Sequence, residues 1–313
     1  FCLSRGLGDV YKRQGMGRDF YEKYESVKAL YDANPEIKEL CFEDKAGVLN
    51  QTAYAQKAML LTSYAIASCI RENGIEPEYA CGLSLGEYSA LTFADVWNIK
   101  DALDIITCRG NIMQNALPLG TTKMAAIIGL SREVILDTIK NVEGVCEIAN
   151  YNCPGQIVIT GDAAAIDKAC PLLLAAGARR ALPLNVSGAF HSSLLTKASQ
   201  ELRSKLDEFI PHNPKYKIVY NVTGTELKEN INDILERQIC HSVYFEDSIR
   251  YMIEHGVDTF VEIGPGATLS SFIKKTSKDV AVYNVSTTEG LEALLEACLL
   301  YTSPSPRDRQ KSR

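Results

Sequence analysis

The sequence contains little of what marks a membrane or secreted protein. Its hydrophobic fraction of 46% and charged fraction of 23% are those of an ordinary globular protein. No apolar run reaches the roughly eighteen residues that a membrane-spanning helix needs, and no secretory signal is recognisable. We therefore expect a cytoplasmic protein without a membrane segment.

Cysteine and histidine are present, but they are not arranged as metal ligands or disulfide pairs. The ten cysteines include no C-x-x-C pair, and the four histidines are well separated. Single cysteines beside apolar residues, such as Cys69, Cys81 and Cys170, are typical of buried thiols in a reducing compartment. The net charge of −6 argues against a general nucleic-acid binder. We expect no bound metal.

Both ends of the chain share an unusual signature. Residues 4–14 and 298–307 can be encoded by opposite strands of one DNA duplex, read one base apart. That duplex resembles a sequencing-library adaptor. We therefore expect residues 1–14 and 298–313 to be translated adaptor, and resequencing of the locus would test this.

The sequence between these ends alternates strand and helix patterns, which predicts an α/β fold with a parallel sheet. Helix-forming residues fill 52–73 and are followed by Gly74, a residue typical of the position after a helix. Another amphipathic helix is predicted over 101–117, and a strand over 257–264. We interpret the segment Gly264-Pro265-Gly266 as a turn, because it lacks the Lys-Ser/Thr of a phosphate-binding loop.

A second unit is predicted inside the first. Residues 121–188 have the order β-α-β-β-α-β, which is typical of a ferredoxin-like unit whose helices cover one face of a small antiparallel sheet. We therefore predict two subdomains. Residues 15–120 and 189–297 would form the α/β catalytic subdomain, and residues 121–188 the inserted one.

The segment Gly82-Leu83-Ser84-Leu85-Gly86 has the G-x-S-x-G spacing of a nucleophile elbow. A short apolar stretch precedes it. A helix is predicted after it, with Glu87 in its first turn, where the helix dipole favours a carboxylate. The backbone N–H of Leu85 would point into the site, as an oxyanion donor does. The serine also needs a base, and the first histidine, His191, lies more than a hundred residues downstream.

Taken together, these motifs resemble the malonyl-CoA:acyl-carrier-protein transacylases and the acyltransferase domains of fatty-acid and polyketide synthases. The resemblance covers nearly all of residues 15–297, and it is carried by GLSLGEYSAL, QTAYAQKA, CRGNIMQ, MAAIIGL, NYNCPGQIVITG, GARRALPLNVSGAFHS, ERQ and EIGPG. It implies an α/β fold, with an α/β-hydrolase-like large subdomain built on a parallel sheet and an inserted ferredoxin-like small subdomain.

The resemblance also implies a role for each matching residue. Ser84 matches the acylated serine, and His191 matches the histidine that takes its proton, in a dyad without an acid. The main-chain carbonyl of Gln238 would orient the imidazole. Arg109 would hold the free carboxylate of the malonyl group through its guanidinium fork. The residues that match the polar lining of the family's cleft are Gln56, Asn150 and Asn152.

The implied activity is ping-pong transfer of a malonyl group from malonyl-CoA to the phosphopantetheine thiol of acyl carrier protein. The resemblance implies no cofactor, and we expect a monomer whose partners are this carrier protein and malonyl-CoA. Two alternatives stay open. One is a serine esterase or thioesterase built on the same elbow, and the other is a chain that keeps the fold but little activity.

Each candidate residue also has an ordinary structural interpretation. Arg109 could be a solvated helix arginine, His191 a loop residue, and Asn150 and Asn152 could close a turn before Pro154-Gly155. The remaining histidines have no motif around them and are expected to be surface or structural residues: His212, His241 and His255.

The chain departs from the family at Leu83, at Ser242 and Phe245, where the family has Pro and Trp, and at its N-terminal end. The family usually has a histidine where this chain has Leu83, which predicts altered packing rather than lost activity. Family members also begin with a strand that leads to F-P-G-Q-G, whose glutamine N–H completes the oxyanion hole. Residues 15–24 match the family's segment just after that motif, so we expect the strand and this donor to be missing, with Gln14 no substitute. One lost donor costs about 10²–10³ in rate, so we expect this chain to be less active than its natural parent.

Overall fold

Two sheets organise the chain in a computed structural model that describes residues 2–3, 14–186 and 188–302. The strands in chain order are β1 (Cys2–Leu3), β2 (Tyr79–Cys81), β3 (Thr122–Ile128), β4 (Cys146–Cys153), β5 (Gln156–Asp162), β6 (Arg180–Pro183), β7 (Lys217–Val219), β8 (Val243–Tyr244), β9 (Thr259–Ile263) and β10 (Ala281–Val285). One sheet has the order β10-β9-β1-β2-β7 and the other the order β6-β3-β5-β4-β8. The α/β fold class predicted from the sequence is confirmed.

Helices cover both sheets. In chain order they are α1 (Arg18–Lys23), α2 (Glu25–Asp32), α3 (Pro35–Phe42), α4 (Thr52–Glu72), α5 (Leu85–Phe93), α6 (Ile99–Asn115), α7 (Arg132–Ile139), α8 (Ala163–Ala175), α9 (Thr196–Leu206), α10 (Ile231–Cys240), α11 (Phe245–Glu254), α12 (Thr268–Thr276) and α13 (Thr288–Thr302), with a short 3₁₀ turn at Ser193–Leu195. Among the described residues, none of these helices combines the length and the apolar character needed to cross a bilayer.

The parallel sheet has β1 at its centre. Cys2 pairs with Cys81 of β2 on one side and with Glu262 of β9 on the other. This differs from the expectation of a missing first strand. The facing edges of β2 and β9 carry backbone N–H and C=O groups that need partners, and Cys2–Leu3 supplies them. Residues 4–13 lie outside the described residues, so the expected loss of the second oxyanion donor stays a prediction. The adaptor origin of both ends stays a prediction.

The second sheet is formed by the inserted segment and one short strand from outside it. Strands β3, β4, β5 and β6 are antiparallel neighbours, and with α7 and α8 they have the order β-α-β-β-α-β. This is the element order of a ferredoxin-like unit. Strand β8 adds to the edge in parallel, with Asn150 opposite Val243 and Tyr151 opposite Tyr244. The inserted sheet therefore continues into the large part of the chain just after α10.

Helix α4 runs through the core of the large part and packs closely on α6. Its buried residues include several alanines, such as Ala53, Ala55 and Ala58. A Cβ atom added to Gly110 of α6 would lie 2.9 Å from the Cα of Ala53, so only glycine permits this approach. The close contact brings Gln56 of α4 opposite Arg109 of α6, and the polar site is built at this crossing.

Candidate active site

Ser84 lies in the tight turn between β2 and α5. Its backbone has φ 56° and ψ −103°, a conformation that residues other than glycine rarely adopt. The side chain of Asn221 holds both sides of the turn. Its Oδ1 accepts the N–H of Ser84 at 2.6 Å, and its Nδ2 donates to the carbonyl of Gly82 at 2.6 Å. These contacts fix the strained turn and direct the hydroxyl of Ser84 into the site.

His191 contacts Ser84 although the inserted segment separates the two residues in the sequence by 107 positions. Its Nε2 lies 2.7 Å from Ser84 Oγ, and its Nδ1 lies 2.9 Å from the main-chain carbonyl oxygen of Gln238. A carbonyl oxygen can only accept, so Nδ1 carries the proton and the lone pair of Nε2 faces the serine hydroxyl. Burial, together with the nearby charge of Arg109, lowers the pKa of His191 from 6.5 to about 4. The imidazole is therefore a neutral base at pH 7.

Arg109 is fully buried beside the dyad, rather than solvated. Its Nη1 donates to Gln56 Oε1 at 2.6 Å, and its Nη2 donates to Ser84 Oγ at 3.1 Å and to Gln238 Oε1 at 3.0 Å. The guanidinium also lies over the ring of Tyr88, 5.0 Å from its centroid. Its Nε is buried without a hydrogen-bond partner in the part of the chain described here. Burial lowers the pKa of Arg109, against the raising effects of Tyr88 and, more weakly, of the charge of Glu87.

The side chain of Gln238 joins these groups, a role that no sequence motif indicated. Its Nε2 donates to the main-chain carbonyl of Ser84 at 2.8 Å and to Glu87 Oε2 at 2.6 Å. Glu87 is completely buried, and its Oε1 accepts the backbone N–H of Asn221 at 3.3 Å. Burial raises the pKa of Glu87 from 4.5 to about 7, against the lowering effects of Gln238, Asn221 and Arg109. Glu87 is thus part of the site rather than only a dipole partner of its helix.

The remaining candidates lie at different distances from this centre. Leu85 is the first residue of α5, so its N–H has no acceptor one turn earlier in the helix. Asn150 and Asn152 are buried on β4, and in the described part of the chain neither side chain is hydrogen-bonded to the dyad or to Arg109. Leu83 packs in an apolar cluster with residues that include Tyr79. The three other histidines are exposed: His212, His241 and His255.

Two further polar side chains have structural contacts only, away from the dyad. Gln14 donates to the carbonyl of Glu43 at an exposed position. Glu262, at the end of β9, is buried and caps α12 by accepting the N–H groups of Leu269 and Ser270 at 3.0 and 2.8 Å. No group of three or more His, Cys, Asp or Glu side chains among the described residues is arranged to hold a metal ion.

Comparison with known proteins identifies the family. The model of the acyl transferase domain matches residues 12–292, and the chain belongs to this family. Within it, the chain is similar to malonyl CoA-acyl carrier protein transacylases. It is 39% identical to that of Bacillus subtilis (strain 168) over 292 residues, which cover 90% of this chain and 92% of the relative. It is 36% identical to that of Staphylococcus aureus (strain MRSA252) over 295 residues, covering 91% and 95%.

Solved structures agree with this assignment. The malonyl CoA-acyl carrier protein transacylase of Clostridium perfringens superposes with a TM-score of 0.91 at 36% identity, covering 96% of each chain. A malonyl-transacylase solved in complex with its type II PKS acyl-carrier protein superposes with a TM-score of 0.89 at 32% identity, covering 95% of this chain and 98% of that one.

Proposed function

We propose that this chain transfers a malonyl group from malonyl-CoA to the phosphopantetheine thiol of acyl carrier protein. The observation that carries the proposal is the 2.7 Å contact between Ser84 Oγ and His191 Nε2, with the buried guanidinium of Arg109 donating to the same hydroxyl. A nucleophile, its base and a cation thus meet at one point. The cation gives the site its preference for an acyl group that ends in a carboxylate.

The first half-reaction acylates the enzyme. Ser84 Oγ attacks the thioester carbonyl carbon of malonyl-CoA while Nε2 of His191 takes the hydroxyl proton. The oxyanion that forms is stabilised by the N–H of Leu85 at the start of α5. The C–S bond then breaks, and His191 returns the proton to the departing thiolate. The products are free CoA and a malonyl ester on Ser84.

The second half-reaction repeats these steps with a different thiol. The phosphopantetheine thiol of acyl carrier protein gives its proton to His191 and attacks the ester carbonyl. The serine oxygen leaves and regains a proton from His191, so the enzyme ends as it began. The solved complex of a similar malonyl-transacylase with its acyl-carrier protein supports a carrier protein as the acceptor. The proposal includes a monomeric, cytoplasmic enzyme, and light scattering in solution tests the oligomeric state.

Arg109 selects the acyl group in this proposal. In the free site its fork is held by the neutral amides of Gln56 and Gln238, and its Nε is buried without a partner among the described residues. A buried donor without an acceptor costs free energy, so a carboxylate that reaches it gains a charge-assisted bond. An acetyl group has nothing to offer there.

A serine esterase built on the same elbow is less compatible with these contacts. Such enzymes orient the histidine with a carboxylate, whereas Nδ1 of His191 is held by the carbonyl of Gln238. An esterase also has no need of a buried cation at the nucleophile. Rapid hydrolysis of malonyl-CoA in the absence of carrier protein would nevertheless favour this alternative.

Intact-protein mass spectrometry tests the proposed function directly. We expect a malonyl adduct on the wild-type protein after incubation with malonyl-CoA, and its loss on addition of acyl carrier protein bearing phosphopantetheine. Ser84→Ala removes the nucleophile and should abolish the adduct. Ser89→Ala, on the same helix and also buried, is the matched control and should keep it. An adduct that persists in Ser84→Ala would overturn the proposal.

A further inference from the structure

The orientation of the buried side-chain amide of Gln238 determines whether its oxygen or its nitrogen faces Arg109. Both neighbours of Gln238 Nε2 are acceptors, namely the carbonyl of Ser84 at 2.8 Å and Glu87 Oε2 at 2.6 Å. The amide nitrogen must therefore face them, which turns Oε1 toward Arg109 Nη2 at 3.0 Å. The opposite orientation would place two donor groups against each other at the guanidinium. The observed orientation is therefore fixed by two acceptors, Glu87 Oε2 and the carbonyl of Ser84.

Glu87 does not form the helix-capping contact that its position in the first turn of α5 predicts. A glutamate three residues after a helix cap often reaches back to the backbone N–H of the cap residue. Here the N–H of the cap residue, Ser84, is already taken by Asn221 Oδ1 at 2.6 Å. The carboxylate instead faces inward, fully buried, and receives Gln238 Nε2 and the N–H of Asn221. Burying a carboxylate is costly, so its contacts must be favourable ones.

We propose that Glu87 is a positioning residue for substrate selection: its carboxylate fixes the amide of Gln238 so that Oε1 holds the guanidinium of Arg109 at the nucleophile. The inference rests on the proposed function, because Arg109 must bind the malonyl carboxylate for its position to matter. Asn221 anchors the carboxylate from the other side through its backbone N–H. Glu87 itself touches no reacting atom.

The decisive variant is Glu87→Gln, which keeps the shape of the side chain but can accept only one of the two N–H donors. We expect kcat/KM for malonyl-CoA to fall about 10- to 100-fold, because losing a contact that positions a functional group typically lowers activity by this factor. We expect kcat/KM for acetyl-CoA to change less than about 3-fold, because the dyad keeps the main-chain carbonyl of Gln238. A loss of folding alone would lower both values equally.

A double-mutant cycle with Gln238→Met separates the proposed route from any other. Methionine removes the amide but leaves the backbone carbonyl that binds His191. If Glu87 acts through this amide, adding Glu87→Gln to Gln238→Met should cost less than about 2-fold further for malonyl-CoA. Losses that multiply in the double variant would overturn the inference.

Glu262→Gln is the matched control, because Glu262 is a buried carboxylate that accepts backbone N–H groups away from the dyad. It should lower stability and leave the malonyl-over-acetyl preference of the folded protein unchanged. Should Glu87→Gln fail to fold, Glu87→Asp keeps the charge but draws it back from Gln238, and should also lose preference. An unchanged preference in a folded Glu87 variant sinks this inference, whereas a wild type that forms no adduct sinks the proposed function.

Discussion

At the scale of single residues, Arg109 is in an unusual position for its type. It is completely buried, and its side-chain hydrogen bonds go to the neutral groups of Gln56, Gln238 and Ser84. A buried cation held mainly by neutral acceptors is costly unless a negative partner arrives. In the proposed function this partner is the malonyl carboxylate, and its binding to Arg109 would place the acyl group at Ser84.

Arg109→Lys tests whether the fork or only the charge is needed. Lysine keeps a positive charge but cannot hold Gln56, Gln238 and a carboxylate in one plane. We expect kcat/KM for malonyl-CoA to fall by about 10- to 100-fold, equal to about 1.4–2.7 kcal/mol, with acetyl-CoA much less affected. Steady-state kinetics with both thioesters measure this. Arg71→Lys, at a partly exposed ion pair with Asp95, is the control, and an equal effect in both variants would refute the role of the fork.

The family resemblance of the sequence implied four groups that the structure joins in one chain of hydrogen bonds: Arg109, Ser84, His191 and the carbonyl of Gln238. Motifs made this possible, because each residue lies in a short recognisable segment. The contacts of Glu87 could not be predicted in the same way. Its partners Asn221 and Gln238 are 134 and 151 positions away, and only the folded chain brings them together.

At the scale of elements, strands in the inserted unit were easier to predict than those in the parallel sheet. The apolar segment QIVITG, residues 156–161, is bounded by glycines and predicts a strand that agrees closely with β5, Gln156–Asp162. The segment YKIVYNV, residues 216–222, predicts a longer strand than the observed β7, Lys217–Val219. The strand ends earlier because Tyr220 pairs with Thr225 instead. Short strands buried in a parallel sheet carry little pattern of their own.

The contact between α4 and α6 yields an element-scale prediction. Gly110→Ala places a methyl group 2.9 Å from the Cα of Ala53, where the backbone must shift. Overpacking costs about 1–3 kcal/mol, which exceeds the gain of up to about 1 kcal/mol in helix propensity. We expect a lower midpoint of urea unfolding and, because Gln56 moves relative to Arg109, a weaker malonyl preference. Asn111→Ala, exposed on the same helix, should do neither, and a stabilised Gly110→Ala would contradict the prediction.

At the scale of the whole molecule, two site residues act oppositely on the pH dependence of stability. The pKa of His191 is lowered from 6.5 to about 4, so the unfolded chain binds more protons in that window and stability rises with pH. The pKa of Glu87 is raised from 4.5 to about 7, so the folded chain binds more protons there and stability falls as pH rises. Each shift is worth about 3 kcal/mol, and the two largely cancel between about pH 4.5 and 6.5.

Glu87→Gln should uncover the contribution of His191. On going from pH 7 to pH 4.5, the free energy of unfolding of this variant should fall by about 3 kcal/mol relative to that of wild type, because the compensating protonation of Glu87 is gone. Urea unfolding of both proteins across this range measures the difference. A difference between the two proteins that stays constant with pH would contradict the opposing shifts.

The contacts at the nucleophile have a consequence for how the chain acquires its activity. The bond from Ser84 to His191 spans 107 positions, that from Arg109 to Gln238 spans 129, and that from Gln238 to the carbonyl of Ser84 spans 154. Forming contacts so distant in sequence costs the entropy of bringing the segments together. No partly folded form that lacks α10 can orient the base. Covalent labelling of Ser84 during refolding should therefore follow the formation of the complete site, and the labelled fraction should equal the fraction of native molecules.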